Sequence, residues 1–189
     1  MKLTDLLNAG SGEDIAISAP SRVSMDFRGL QQLVASTTKV LNDAGMGRND
    51  RVAIVLPNGP EMASCFLACA CAATSAPLNP AYRVDEFEFY LDDLKACALI
   101  IEKGSESPAL AAAQKLGIRI IELSVPEGAC AGQFTLAAGE PAHCDHGGPA
   151  SASDVAMILH TSGTTSRPKI VPLTHRNVSA SAQNIAHST

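Results

Sequence analysis

Strand-like and helix-like segments alternate through the middle of the chain, and this alternation limits the possible folds more than any other feature. Arg51–Leu56 form a β-rich run without alternation, which is typical of a strand buried on both faces. A helix that is apolar nearly all round should follow from Pro60, and further strand–helix pairs recur every ~20 to 25 residues as far as Leu123. Because parallel strands require crossover helices, we predict an α/β fold with a mainly parallel sheet and helices on both faces.

The segments on either side of this region carry weaker signals. Two short strands, Asp14–Ile17 and Val23–Phe27, should precede an amphipathic helix that ends at Gly45. Residues 124–153 show little periodicity, and we expect an irregular connection there with one strand near Phe134–Leu136. The prediction of a parallel sheet therefore depends on the middle of the chain.

Length, composition and charge indicate one globular domain. At 189 residues, with 46% hydrophobic and 17% charged residues, the chain is long enough to bury a core and is not of disordered type. Its net charge of −5 argues against nonspecific nucleic-acid binding, and no apolar run is long enough to span a membrane. The six cysteines show no pairing pattern, so we expect a reducing compartment. The cytoplasm fits best, with the peroxisome left open because a C-terminal signal would lie outside this chain.

One group of metal-ligating residue types occurs at residues 143–146, His-Cys-Asp-His, with Cys130 upstream. A metal site is an alternative there, but neither a Cys-x-x-Cys pair nor a His-x-x-x-His pair accompanies the group. Cys65, Cys69 and Cys71 fall in one predicted helix and are best explained as small buried side chains. We therefore predict no metal ligands in the chain.

A polar loop between two apolar runs is the main functional candidate. Val155–Leu159 should form a buried strand and Ile170–Leu173 a second one, with hydroxyl-bearing residues, Gly163 and Lys169 between them. Glycine lets successive N–H groups point into one concavity, hydroxyls add donors, and lysine adds a compact positive charge, a combination suited to a polyphosphate. The loop lacks the second glycine and the following helix of a Walker loop. We predict a phosphate-binding loop that joins two strands and is mobile without nucleotide. A polar hairpin loop without a ligand is the alternative that composition leaves open.

The complete pattern is more specific than its composition. Residues 160–169, His-Thr-Ser-Gly-Thr-Thr-Ser-Arg-Pro-Lys, resemble the phosphate-loop signature of the AMP-forming adenylating enzymes, which include acyl-CoA synthetases, luciferases and peptide-synthetase adenylation domains. Asn49–Glu61, Ala76–Tyr82 and Leu173–Asn177 also resemble the early part of acyl-CoA synthetases.

Two positions in and after the loop depart from the commonest family pattern. Ser166 stands where glycine is usual, and Ile170 stands where glycine often follows the lysine. Serine still supplies a backbone N–H and a hydroxyl, but it tolerates positive φ poorly. The Thr-Thr-Ser-Arg-Pro-Lys version is similar to that of the oxalate–CoA ligase branch.

The resemblance implies that the chain is an N-terminal fragment of the large adenylating domain. Residues 1–189 would form its N-terminal part, with a βαβ region at 1–123, an irregular connection at 124–153, and a phosphate-loop hairpin and helix at 154–189. The family's later segments, which bind adenine and ribose and carry a C-terminal lysine used in adenylation, have no counterpart in this sequence. We therefore expect the chain to be inactive by itself.

The resemblance also implies an ATP-dependent acid–CoA ligase. A carboxylate substrate would attack the α-phosphate of ATP to give acyl-AMP and pyrophosphate, and CoA would then accept the acyl group. ATP, Mg²⁺ and CoA are the implied cofactors, and a homo-oligomer is compatible with this class. We expect Lys169 to act in catalysis and the following residues to contact the β- and γ-phosphates: Thr161, Ser162, Gly163, Thr164, Thr165 and Lys169.

Four polar residues in or beside the loop have less certain roles. His160 either orients the loop or closes a strand end, and Arg167 is expected to face solvent. His175 and Asn177 are expected to start a helix that Thr174 caps.

Two other classes stay open beside the ligase. One is a nucleotide-binding module without catalysis, and the other is a structural α/β domain without a ligand. Titration with ATP and Mg²⁺ would separate the second class from the first.

Overall fold

The structure is a computed structural model that describes residues 1–161 and 168–186. Its helices are α1 (Leu3–Leu7), α2 (Phe27–Asp43), α3 (Pro60–Ala72), α4 (Val84–Leu94), α5 (Pro108–Lys115) and α6 (His175–Ala186). Its strands are β1 (Ile15–Ile17), β2 (Met25–Asp26), β3 (Arg51–Val55), β4 (Thr74–Pro77), β5 (Ala98–Glu102), β6 (Arg119–Ser124), β7 (Thr135–Ala137), β8 (Val155–Thr161) and β9 (Lys169–Thr174).

A seven-stranded sheet with the order β7-β6-β5-β3-β4-β8-β9 organises the described part of the chain. The five inner strands, from β6 to β8, pair in parallel. The two outer pairings, β6 with β7 and β8 with β9, are antiparallel. The predicted mainly parallel sheet is therefore confirmed, and β1 with β2 forms a separate antiparallel ribbon.

Apolar side chains fill both faces of this sheet. On one face, α1, α2 and α3 pack over Val52 and Ile54 of β3 and Ile100 of β5. On the other face, α4 and α5 pack over residues of opposite alternation, such as Ala53 and Leu99. Because consecutive strand residues point to opposite faces, a strand covered on both sides must be apolar throughout. The predicted placement of helices on both faces is confirmed.

Side chains and prolines fix where several helices begin. The Asp26 carboxylate accepts a hydrogen bond from the backbone N–H of Gly29 at 2.7 Å and so caps α2. Pro60 and Pro108 occupy the first turns of α3 and α5, where a missing N–H costs nothing. The hydroxyl of Ser107 caps α5 at 3.2 Å.

The structure corrects the predicted bounds of four strands, β2, β7, β8 and β9. The second N-terminal strand is only Met25–Asp26, and Phe27 already belongs to α2, because the Asp26 cap starts the helix earlier than its apolar periodicity does. The strand expected near Phe134–Leu136 is Thr135–Ala137, and it pairs with the edge of β6. The hairpin strands β8 and β9 are longer than predicted because their polar ends also pair. In the described residues, no helix combines the length and apolarity needed to cross a membrane.

Candidate functional site

The β8–β9 hairpin brings two of the predicted phosphate-binding residues together. Thr161 ends β8, Lys169 begins β9, and the two are register partners. The Thr161 hydroxyl is within 3.5 Å of the Lys169 carbonyl oxygen, and both residues are exposed. Lys169 begins a strand rather than a helix, so the two predicted strands and their antiparallel pairing are confirmed. This geometry excludes a Walker loop, in which the lysine opens a helix.

The other predicted loop residues, Ser162, Gly163, Thr164 and Thr165, lie outside the described residues, as do Ser166 and Arg167. Their phosphate contacts and the mobility of the loop therefore remain predictions. Among the described residues, no carboxylate forms an ion pair with the Lys169 ammonium group. The hairpin thus presents the Lys169 ammonium group and the Thr161 hydroxyl side by side, which suits an anionic ligand.

The Thr161–Lys169 end of the hairpin lies on the side of the sheet where the parallel strands have their carboxyl ends. β8 runs parallel to β4, with Met157 opposite Ser75, so Thr161 lies beyond the carboxyl end of β4. The Thr74 hydroxyl adds a hydrogen bond to the Val155 carbonyl at 2.8 Å and ties the two strands at their starts. In open α/β sheets, ligands bind outside the carboxyl ends of the strands. The position of Thr161 and Lys169 agrees with that rule.

A buried carboxylate fixes the opposite end of β8. Asp154 accepts hydrogen bonds from Arg48 at 2.8 Å, from Asn49 at 3.2 Å, and from the Ser151 N–H at 2.7 Å. Burial by itself raises the pKa of Asp154, but these hydrogen bonds outweigh burial and hold the pKa well below its usual range. The Asp154 carbonyl also accepts from the His175 N–H at 3.0 Å, which links the start of β8 to the start of α6.

His160 precedes the phosphate loop and packs against α4. Its side chain is 8% exposed, and its Nε2 lies 3.2 Å from a carboxylate oxygen of Asp93. Its ring meets the Tyr90 ring edge to face, with centroids 4.7 Å apart. Tyr90 in turn stacks on Tyr82 at 4.7 Å, and burial raises the pKa of Tyr82 to about 12. His160 therefore contacts a fixed helix rather than solvent.

His175 and Asn177 have structural roles, as expected. His175 is 1% exposed, and its Nδ1 accepts a hydrogen bond from the Leu3 N–H at 3.3 Å. Burial lowers the pKa of His175, which favours the neutral ring. Asn177 accepts from the Thr174 N–H at 3.0 Å and from the Thr174 hydroxyl at 2.7 Å, while that hydroxyl accepts from the Asn177 N–H. This reciprocal contact begins α6 at the predicted residue.

The group at residues 143–146 does not assemble a metal site in the described residues, where no cluster of three or more His, Cys, Asp or Glu side chains is placed to hold a metal ion. His143 and Asp145 form a surface contact at 3.3 Å, and both side chains are highly exposed. The segment instead packs by its backbone: the Arg48 N–H donates to the His146 carbonyl at 2.9 Å.

Three residues that contact His160 or Asp154 are missed by the sequence patterns. Tyr90 and Asp93 lie 70 and 67 residues from His160, and no periodicity connects residues so far apart. Arg48 follows a helix and resembles an ordinary surface cation in the sequence. In the structure it donates a hydrogen bond to Asp154, which lies 106 residues further along the chain. Only the parallel sheet order, which places β8 next to β4, brings these segments together.

Comparisons with known proteins agree with this geometry. The sequence model described as "AMP-binding enzyme" matches residues 8–189. The chain is 38% identical to the probable CoA ligase CCL9 of Humulus lupulus, over 97% of this chain and 36% of that protein. It is 36% identical to the oxalate–CoA ligase of Arabidopsis thaliana, over 90% of this chain and 34% of that protein.

A solved structure shares the fold. ATP-bound MatB from Rhodopseudomonas palustris superposes with a TM-score of 0.76 at 23% identity, covering 99% of this chain and 38% of MatB. The chain thus spans about a third of the length of the curated relatives it matches. The pairing of Thr161 with Lys169 beyond the carboxyl end of β4 and the match over residues 8–189 lead to one conclusion: the chain belongs to the family of AMP-binding enzymes.

Proposed function

We propose that this chain supplies the triphosphate-binding part of an ATP-dependent acid–CoA ligase. The observation that carries the proposal is the pairing of Thr161, at the end of β8, with Lys169, at the start of β9. In the described residues, this lysine has no carboxylate partner. The family membership and the CoA-ligase names of two relatives support the same reaction class. Because the chain covers about a third of those relatives, the activity is proposed for the whole protein that contains it.

In the proposed first step, a carboxylate oxygen attacks the α-phosphorus of ATP, and pyrophosphate leaves. Lys169 would place its ammonium group against the β- and γ-phosphates and offset the charge that grows on the leaving group. Thr161, Ser162, Gly163, Thr164 and Thr165 are proposed to supply hydroxyl and backbone N–H donors to the same oxygens. Mg²⁺ would share the phosphate charge when bound.

In the proposed second step, the thiol of CoA attacks the carbonyl carbon of the acyl-adenylate, and AMP leaves. We propose residues 1–189 as the N-terminal part of the adenylating domain, with the βαβ region at 1–123, the connection at 124–153, and the hairpin and helix at 154–189.

Oxalate is the first substrate to test. The Thr-Thr-Ser-Arg-Pro-Lys version of the loop is similar to that of oxalate–CoA ligases, and one such enzyme is 36% identical to this chain.

The test is pyrophosphate release by the whole protein with ATP, Mg²⁺, CoA and a panel of small carboxylates that includes oxalate. We expect carboxylate-dependent release together with a CoA thioester. Saturable ATP binding without release for any carboxylate would instead identify a nucleotide-binding module, and the absence of both would leave a structural domain.

A further inference from the structure

The second-to-last residue of β8, His160, is held by a helix from another part of the fold. His160 lies on β8 directly before Thr161, and its side chain is 8% exposed. Its Nε2 lies 3.2 Å from Asp93 Oδ2, and its ring packs edge to face on Tyr90. Both partners belong to α4, so a single helix contacts the imidazole by a hydrogen bond and by ring packing.

The Asp93 contact determines which ring nitrogen of His160 acts as the donor. An ionised carboxylate only accepts hydrogen bonds, so the Nε2 atom must carry the proton that joins it to Asp93. At 3.2 Å this contact is longer than the strongest charge-assisted hydrogen bonds, and the Tyr90 ring shares in holding the imidazole. The ring is therefore fixed in rotation as well as in position.

The helix that holds His160 is itself firmly placed. Phe87, Leu91 and Leu94 on the inner side of α4 are fully buried in the core. Tyr82, from the segment after β4, stacks on Tyr90 with an interplanar angle of 12°. Tyr90 is thus supported by Tyr82 and by the helix that carries it, and it cannot turn away from His160 without breaking that stack.

The position of His160 affects the position of the Thr161–Lys169 pair, because the two are neighbours in the hairpin. His160 pairs with Ile170, and the next pair along the ladder is Thr161 with Lys169. On its other side, β8 pairs with β4 at Met157, three residues before His160. Beyond the end of β4 at Pro77, the end of β8 is contacted by β9 through the ladder and by α4 through His160.

We propose that Asp93 and Tyr90 are positioning residues for the nucleotide: through His160, they fix the Thr161–Lys169 pair at the place where the phosphates of ATP bind. The inference rests on the proposed function, because it assigns these residues to the same site. It predicts an effect on ATP use that exceeds any effect on the stability of the fold. A purely structural role would lower stability and leave the kinetic constants of the folded enzyme unchanged.

The test compares Asp93→Ala with Asp92→Ala in the whole protein. Asp92 is the neighbouring residue of the same type on α4, but it is exposed and contacts Lys95 at 2.8 Å instead of His160. In the carboxylate-dependent adenylation assay, we expect Asp93→Ala to raise the KM for ATP about tenfold, the scale of one lost hydrogen bond to a charged group. The KM for the carboxylate should stay within about twofold, and Asp92→Ala should resemble the unaltered protein in both constants.

Two further variants separate positioning from folding. Asp93→Asn keeps an oxygen that can accept from His160 Nε2, so it should restore most of the affinity for ATP. Tyr90→Leu removes the ring contact and should also raise the KM for ATP. Hydrogen exchange without nucleotide should be faster at the Thr161 and Lys169 amides in Asp93→Ala than in Asp92→Ala, with thermal midpoints that stay close.

The outcomes distinguish the two proposals. An active protein in which Asp93→Ala and Asp92→Ala have the same KM for ATP overturns the positioning role alone. An unaltered protein that neither binds ATP nor releases pyrophosphate overturns the proposed function, and the positioning role falls with it, whatever hydrogen exchange shows.

Discussion

Asp154 is the residue on which the placement of β8 most depends. Its carboxylate is nearly buried and satisfies donors from Arg48, Asn49 and Ser151. The folded state depresses its pKa, so ionised Asp154 stabilises the fold at every pH above its ordinary unfolded value, near 3.9. That contribution declines as the pH falls below this value and disappears only below the lower pKa of the folded state.

We predict that Asp154→Asn lowers the free energy of unfolding by about 2 kcal/mol at pH 7, the scale of a lost charged hydrogen-bond network. The difference in unfolding free energy should shrink at pH 3. At that pH, Asp154 of the unfolded wild-type chain takes up a proton, which reduces the stability that its ionised form gives the fold. Urea unfolding at the two pH values measures both quantities. Asp92→Asn, on the exposed side of α4, is the control, and a deficit that grew as the pH fell would contradict the assignment.

At the scale of single elements, the sequence predicts most helices and strands well. Residues 52–55 are apolar without alternation because β3 is covered on both faces, and this pattern is visible in the sequence itself. The caps at Ser107 and Thr174 likewise act on neighbours a few residues away. The hairpin was predictable for the same reason: its two strands and its loop are local in sequence.

Contacts between segments that are far apart in the sequence could not be predicted in this way. The His160–Asp93 hydrogen bond depends on β8 lying beside β4, although the two strands are separated by about 80 residues that include three other strands. The start of α2 at Phe27 was also missed, because the Asp26 cap decides it against the β-favouring run before it. Chemistry that depends on topology therefore needs the three-dimensional structure.

Helix α3 gives a direct test of burial at the element scale. Burial raises the pKa of Cys65 and of Cys71 to about 12, and that of Cys69 also rises. Cys97 is an exposed residue, but its sulfur atom points inward and donates to the Arg51 carbonyl. Burial of this sulfur atom raises the pKa of Cys97 to about 11. Since the thiolate is the reactive form, these four residues should react slowly with maleimide in the folded chain.

We predict that Cys130 and Cys144, which are partly exposed, label first at pH 7, as read by mass spectrometry of the peptides. Cys97 should follow, and the three cysteines of α3 should label only on unfolding. Labelling in urea, where all six should react, is the control. Rapid labelling of Cys65 or Cys69 under native conditions would show that α3 is not packed as described.

At the scale of the whole molecule, the chain covers about a third of the length of its relatives. Rate enhancement in adenylation needs both reactants held together in a closed site. The described residues offer one hairpin with an exposed lysine, and salt screens such an exposed charge. We predict that the 189-residue chain alone makes no measurable acyl-CoA from ATP, Mg²⁺, CoA and oxalate.

The measurement for that prediction is pyrophosphate release by the purified chain, with the whole protein as the positive control. Turnover by the chain that vanished with Lys169→Ala would mean that these residues complete the site by themselves. Turnover that survived Lys169→Ala would point to a contaminating enzyme.

The most direct test of the central claim compares the two half-reactions in the whole protein carrying Lys169→Ala. If Lys169 meets the phosphates that leave in the first step, adenylation should fall about a hundredfold, as when one charge-stabilising group is lost. Preformed acyl-AMP should still pass its acyl group to CoA at nearly the unaltered rate. Lys103→Ala, at an exposed lysine in the turn after β5, should leave both steps unchanged. An equal fall of both half-reactions in Lys169→Ala would contradict the assignment of Lys169 to the triphosphate.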